Sequence, residues 1–294
     1  PKGKYVSVVI NDQSFHVATL SFPTLLFRAS PNAALEREIQ TSAPLPLREY
    51  SLRYEVGVQT GGKSTVYCCA LPDGIIRDIE QSLDHLGLIP VSIQPSLVSL
   101  VGLLRPLEDS TSPYPSVFLH MGNEATTIGI YNAKGIKRLQ ILPLGGHDLT
   151  RALSKATHAG LPASEVLKRT GLILLEDPTI EAQNEIAEYQ FLEPLFTDLL
   201  QKFYGFLQVF TTEFPEEAAF RRIVLSGGGA NLKNIDRLIQ TNLGISVIPI
   251  SQLFQLQMKK DSLSVSNKNS LSPILGTLAM EPWKFPRFDR VAAA

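Results

Sequence analysis

Two cysteines in 294 residues give this chain little covalent chemistry. They are neighbours, Cys68 and Cys69, and adjacent residues on a strand point to opposite faces, so the pair neither shares a metal nor readily forms a structural bridge. A reducing compartment fits. Surplus charge is also missing: 27 Lys+Arg stand against 28 Asp+Glu, for a formal net charge of −1. That balance excludes a strong electrostatic footprint for nucleic acid or an anionic membrane, and it argues against catalysis on polyanions. No run approaches the roughly 18 continuous apolar residues that a bilayer span needs, and the first residues lack the charged-then-apolar pattern of a secretory signal. The five histidines, His16, His85, His120, His147 and His158, show no ligand spacing with the cysteines or with a carboxylate cluster, so no metal site is expected. What the chain does have is 44% hydrophobic residues, enough to bury a real core. At about 100 to 200 residues per domain, two domains are expected. The start at Pro1 and the featureless tail Val291–Ala294 suggest a fragment of a longer protein.

Periodicity gives the organisation. Tyr5–Ile10 and Phe15–Leu20 are β-branched and aromatic, separated by the turn residues Asn11–Ser14, which predicts two strands joined as a hairpin. Pro31–Gln40 places Ala34, Leu35 and Ile39 on one helical face, with Ser30 as N-cap. Tyr50–Val58 and Ser64–Leu71 are predicted strands about Gly61–Gly62, Asp73–Leu86 an amphipathic helix stopped by Gly87, and Ile89–Ile93 a strand. These elements predict a small α+β subdomain over residues 4–94 and a second body over 95–291. Pro95–Leu104 is a predicted helix, and the polar, proline-interrupted stretch 108–115 is the predicted linker. In the body, strands are expected at Val117–Met121, Thr126–Tyr131 and Ile136–Leu142, then helices at Asp148–His158, Ala163–Thr170 and about Ile180–Thr212. A strand at Ile223–Leu225, a helix at Leu232–Leu243 and a strand at Ser246–Pro249 follow. Residues 258–270 are Ser/Asn-rich and predict a mobile loop, before a last helix at Pro273–Ala279. The dense apolar series from Phe191 to Phe210 is explained by core burial, with a second face for a partner as the alternative. Asp177 and Glu181, and likewise Glu216 and Glu217, are solvated helix ends by this reading, and Trp283–Phe288 is an aromatic, basic tail.

Three strands, a helix and then strand–helix alternation is the order of the ribonuclease-H-like core on which actin and the sugar-kinase ATPases are built. Two glycine-bearing turns sit where such a core would bind phosphate and nucleoside. In His120–Thr127 (HMGNEATT), Gly122 lets backbone N–H groups approach a phosphate and Thr126 or Thr127 offers a hydroxyl. In Leu225–Asn231 (LSGGGAN), three glycines remove every Cβ, so that a base or ribose can lie flat on the backbone or the turn can simply be tight.

Pro143–Thr150 (PLGGHDLT), Ser164–Arg169 (SEVLKR) and Ile223–Gly229, taken in order with Phe22–Pro23, Pro44–Pro46, Leu52–Val56 and Leu83–Pro90, resemble PilM, the actin-like family of type IV pilus assembly. FtsA is a relative, and the cytoplasmic domain of the type II secretion protein GspL is a close rival with the same architecture. The resemblance runs from about residue 4 to 281 and implies an α/β, actin-like ATPase fold carrying an inserted small α+β subdomain. It implies nucleotide contacts at Gly122, Asn123, Thr126 and Thr127 for phosphate, Gly227, Gly228 and Gly229 for adenosine, and Glu165 and Lys168 for ribose and base. ATP with magnesium is the cofactor implied, and two departures weaken it. His120 stands where hydrolysing members carry Asp: neutral it accepts one hydrogen bond, and as a cation it repels the metal. The family's first phosphate turn and three opening strands have no counterpart before residue 5, so the first actin-like subdomain is expected to be incomplete. The function implied is a non-catalytic or weakly nucleotide-binding scaffold, cytoplasmic and peripheral to the inner membrane. Its expected partner is the cytoplasmic tail of a single-span, PilN-like membrane protein. Self-association is a further interaction the family suggests, nucleic acid is not expected, and an active actin-like ATPase is the enzymatic alternative.

Overall fold

The computed structural model describes residues 4–42, 46–60, 62–170, 183–255 and 265–274. The chain divides into two units, one built on Pro1–Leu107 with Ala133–Leu139, the other on Glu108–Asn132 and Gln140–Ser272.

The first unit holds two sheets. Strand β1 (Tyr5–Ile10) pairs in parallel with β5 (Ile89–Pro95), while β2 (His16–Pro23), β3 (Tyr50–Thr60) and β4 (Lys63–Pro72) form an antiparallel sheet in the order β2-β4-β3. The opening hairpin expected from Asn11–Ser14 therefore does not form. Those residues close a 3-10 turn, with the Asn11 side chain accepting from the Gln13 N–H, and the buried Asp12 carboxylate turns inward to accept the N–H of Leu97. This carboxylate supplies the N-terminal cap of α4 (Ser96–Leu104), whose own preceding residue, Pro95, has none to offer. A turn with such a long-range obligation sends its two strands to different sheets.

On one face of the antiparallel sheet, Ala18, Leu20, Phe22, Val66 and Cys68 meet α1 (Thr24–Ala29) and α2 (Pro31–Ser42) through Phe27, Leu35 and Ile39. The opposite face sends Val17 and Cys69 to a second cluster with Val8, Ile10, Leu71, Ile93 and the isoleucines 75, 76 and 79 of α3 (Asp73–Asp84). Cys68 and Cys69 are free and point to opposite sides of β4, as adjacent strand residues must. Burial pushes both thiols up, to about 11 and about 12, which keeps them protonated.

The second unit is organised by β6 (Ser116–Met121), β7 (Thr126–Asn132), β9 (Ile223–Ser226) and β10 (Val247–Pro249), in a five-stranded sheet of order β10-β9-β6-β7-β8 whose edge strand β8 (Gly135–Leu142) belongs to this unit only from Gln140 on. β6 runs antiparallel to β7 and parallel to β9, and β9 runs parallel to β10. Every residue of β6 and β9 is buried, the pattern of central strands covered on both faces. Helices α5 (Gly146–Thr157), α6 (Leu161–Thr170), α7 (Gln183–Glu213) and α8 (Ile235–Leu243) belong to the same unit. Of the apolar series on α7, Leu192, Phe196, Leu199, Phe203, Phe206, Leu207 and Phe210 lie in the core, and Leu195 and Leu200 pack against it. Each buried side chain of this size contributes about 1.5–3 kcal/mol by area, as an upper bound. Phe191 alone among the predicted series is exposed, so α7 is a core helix.

Two short helices complete the unit, α9 (Ile250–Gln255) and α10 (Val265–Ser270). α10 falls in the stretch expected to be a mobile loop, yet Lys268 and Asn269 are buried. Residues 256–264, the tail Trp283–Phe288, and Asp177 and Glu181 lie outside the described residues. Among the described residues, no helix is long and apolar enough to cross a membrane.

Candidate nucleotide site

The parallel strands β6 and β9 end side by side, which brings the two glycine turns together: His120 pairs with Ser226 in register, and the backbone then leaves each strand. At an open end of an α/β sheet this is where ligands bind. Gly122 closes the first turn by donating its N–H to the Ala125 carbonyl at 2.9 Å. The turn then lies on the start of α5. Gly146 donates to the Gly122 carbonyl (2.9 Å) and His147 to that of Asn123 (2.7 Å), while the Asp148 carboxylate accepts the Gly145 N–H at 2.9 Å. A Cβ on Gly145 would lie 2.4 Å from the Asn123 carbonyl oxygen, so glycine is required for this approach.

Behind the turn, Thr126 and Thr127 are fully buried, and the Thr126 hydroxyl donates to the Leu144 carbonyl at 2.7 Å. Lys168, buried on α6, donates to the Gly146 carbonyl (2.8 Å) and to Thr150 Oγ1 (2.8 Å), and pairs with Glu165 Oε2 at 2.7 Å. Thr150 also bonds Glu165, and Arg169 reaches its other oxygen at 2.7 Å. Partial burial pushes the Glu165 carboxyl up, but the hydrogen bonds from Lys168, Thr150 and Arg169 outweigh it and hold the group down at about 2.

The second turn folds as a 3-10 helix, Gly228–Asn231. Gly227 precedes it at φ +87° and donates to the Asn269 carbonyl at 2.8 Å. Asn269 ties the turn down further: its amide donates to Asn231 Oδ1 (3.0 Å) and its carbonyl accepts from Ser272. Met121 fills the space that side chains would need at Gly227 and Gly229, whereas Gly228 is exposed with nothing within 4 Å.

All nine residues expected at a nucleotide thus belong to one unit, in two linked groups. Gly122, Asn123, Thr126, Thr127, Glu165 and Lys168 surround the start of α5, and Gly227 and Gly229 lie against Met121 with Gly228 exposed between them. Thr150, Gly145, Gly146, Ser226 and Asn269 were not singled out. The spacing of Thr150 one turn after Gly146 in PLGGHDLT is the one local signal that could have found any of them.

The residues do not fit a hydrolytic magnesium centre. His120 is buried, with Nδ1 hydrogen-bonded to Ser226 Oγ at 3.0 Å. Burial pulls its pKa down to about 4, so the ring is neutral at physiological pH and offers no charge to hold metal-bound water. Among the described residues, no three His, Cys, Asp or Glu side chains come together as metal ligands. Because the folded-state pKa lies below the unfolded value of 6.5, the unfolded chain binds the extra proton first as pH falls. Stability is therefore lost between pH 6.5 and 4. We expect His120→Asn, which retains a partner for Ser226, to lower that dependence by about 2 kcal/mol between pH 7 and pH 5. Urea denaturation at the two pH values measures it.

No curated protein matches this sequence. Among solved structures, a PilM-PilN type IV pilus biogenesis complex superposes with a TM-score of 0.77 at 19% identity, over 96% of this chain and 81% of that one, which shows a shared actin-like α/β fold. MreB 5 of Spiroplasma citri bound to AMPPNP aligns with a TM-score of 0.49 at 14% identity, over 69% of this chain and 62% of that one. The ethanolamine utilization protein EutJ from Carboxydothermus hydrogenoformans aligns at 0.41 and 16% identity, over 55% and 51%. The profile described as type IV pilus assembly protein PilM matches residues 23–280, and with that span covered the chain belongs to the PilM family.

Proposed function

We propose that this chain is a non-catalytic, actin-like scaffold at the cytoplasmic face of the inner membrane, and that it binds the cytoplasmic tail of a single-span, PilN-like protein. Membership of the PilM family carries the reading. The solved relative with the same fold was determined as a complex with PilN, which supports a partner of that kind. The first unit offers exposed apolar side chains suited to a short peptide: Leu25 is 82% exposed, and Tyr54 and Val56 lie on the long strand β3, which has no neighbour on its outer edge among the described residues. An extended tail can add main-chain hydrogen bonds to such an edge while its alternate side chains cover the apolar positions. The neutral His120 supports the absence of hydrolysis.

The test is fluorescence anisotropy of a labelled synthetic peptide, taken from the cytoplasmic tail of a single-span, PilN-like protein, against the full chain. Leu25→Glu and Tyr54→Ala should each weaken binding about tenfold or more, as interface anchors do. Val166→Asp and Tyr204→Ala, exposed on the second unit, should leave it unchanged. A peptide that fails to bind, or one that binds all four variants alike, overturns the proposal.

A further inference from the structure

A helix begins with N–H groups that have no intrahelical partner, and an anion is one ligand they can hold. In α5 those groups are already spent. The carbonyl oxygens of Gly122 and Asn123 take the N–H groups of Gly146 and His147, so the turn that would cradle a phosphate instead presents its own partial negative charge to the helix. Lys168 is spent as well. An ammonium carries three N–H bonds, and the Gly146 carbonyl, Thr150 Oγ1 and Glu165 Oε2 accept all three within 2.8 Å. The Thr126 hydroxyl goes to Leu144 and the Gly227 N–H to Asn269. A nucleotide using these groups would have to break bonds that are buried and mutually satisfied.

We propose that this circuit stands in for nucleotide. Lys168, bridged by Thr150 and Glu165, ties α6 to α5, and the Gly122–Asn123 carbonyls cap α5, so the second unit reaches its final conformation unaided. ATP with magnesium neither stabilises nor repositions it. The inference deepens the scaffold reading by removing nucleotide as its regulator, and Lys168 is a positioning residue within it.

Thermal melting and hydrogen–deuterium exchange of the full chain test this, with and without millimolar ATP or ADP and magnesium. A ligand that binds only the folded state must raise the melting temperature. The expected result is no shift, with the Gly146 and His147 amides protected equally in every condition. In Lys168→Met those amides should exchange at least about tenfold faster and melting should fall by roughly 6 °C or more, because Gly146, Thr150 and Glu165 Oε2 lose the buried ammonium they share. Thr150→Val keeps the Lys168–Glu165 pair and should give a smaller change in the same direction. Melting raised by several degrees on adding nucleotide, or amide protection that appears only with nucleotide, overturns the proposal. So does a Lys168→Met chain whose exchange matches wild type. None of these results bears on the peptide titration, so the scaffold reading stands or falls separately.

Discussion

Glu108→Ala is expected to lower stability by about 3–5 kcal/mol, the cost of removing one partner from a buried ion pair. The Glu108 side chain is 2% exposed, and both oxygens are engaged: Arg222 Nη2 at 2.7 Å and the Tyr131 hydroxyl at 3.2 Å on one, the Ser116 hydroxyl at 2.8 Å and Arg221 Nη1 at 3.6 Å on the other. Alanine would leave a guanidinium that is only 13% exposed without its counter-charge, at a residue whose Nε already lacks an acceptor. It would also take one of its two partners from the hydroxyl of Tyr131, one of the largest fully buried side chains, leaving Ser116 alone to bond it; burial pushes the ionisation of this phenol well above the ordinary range. At about 2–4 °C per kcal/mol for a chain of this size, melting should fall by roughly 10 °C. Glu108→Gln keeps the shape and one acceptor and should cost about half as much, in the range of a charged hydrogen bond. Thermal and urea denaturation decide between this and a loss below about 1 kcal/mol, the value of a solvent-exposed pair.

Glu108 also marks a limit of sequence reading. It opens the stretch 108–115, whose polarity and prolines predict a linker, and its partners Ser116, Tyr131 and Arg222 come from three separate places in the chain. Composition cannot distinguish a carboxylate that is solvated from one that is buried and fully bonded. The same blindness hid α10. In Val265–Ser270 (VSNKNS) the polar residues read as loop, but Asn269 is spent on Asn231, Ser251, Gly227 and Ser272, holding the second glycine turn. What periodicity reports is burial of apolar surface, and there it served well: the strands from Tyr5 to Leu142 and the α7 core series follow from alternation and helical spacing. Pairing is another matter. β1 and β2 look like a hairpin because local turn chemistry is visible, whereas the Asp12–Leu97 bond that separates them spans 85 residues. The order of the two glycine turns leads one to expect them together, and both lie at the end of β6 and β9. Glu165 and Lys168 are i, i+3 neighbours on α6, so spacing puts them side by side, but that the pair meets Gly146 and Thr150 depends on the docking of α6 on α5, which no spacing encodes.

Gly227→Ala is expected to be at least as damaging as Glu108→Ala, and its neighbours show why. At φ +87° and ψ 179°, Gly227 occupies a region that only glycine enters readily, and a residue forced there stores about 1–3 kcal/mol of strain. Its Cβ would also lie 2.3 Å from the Met121 carbonyl oxygen and 2.7 Å from the carbonyl carbon. Those are backbone atoms of a central strand, so relief requires moving β6 itself, with every buried contact it makes. The combined loss should exceed about 3 kcal/mol, within the range reserved for severe core disruption. Gly229→Ala would place its Cβ 2.5 Å from Met121 Cβ, again with little freedom to yield, and should be intermediate. Gly228→Ala meets nothing within 4 Å and should fall within about 0.5 kcal/mol of wild type. The order separates two roles for three glycines in a row. If they serve close packing of β9 against β6, stability follows the distance to Met121, and Gly228 is the tolerant position. If they serve a nucleoside lying on the backbone, Gly228 is the one position still open to it, and alanine there should abolish a melting shift on adding nucleotide. Melting curves of the three variants, with and without ATP and magnesium, therefore measure packing at Gly227 and ligand access at Gly228 in one experiment. Packing predicts a steep order of stabilities and no response to nucleotide in any of them.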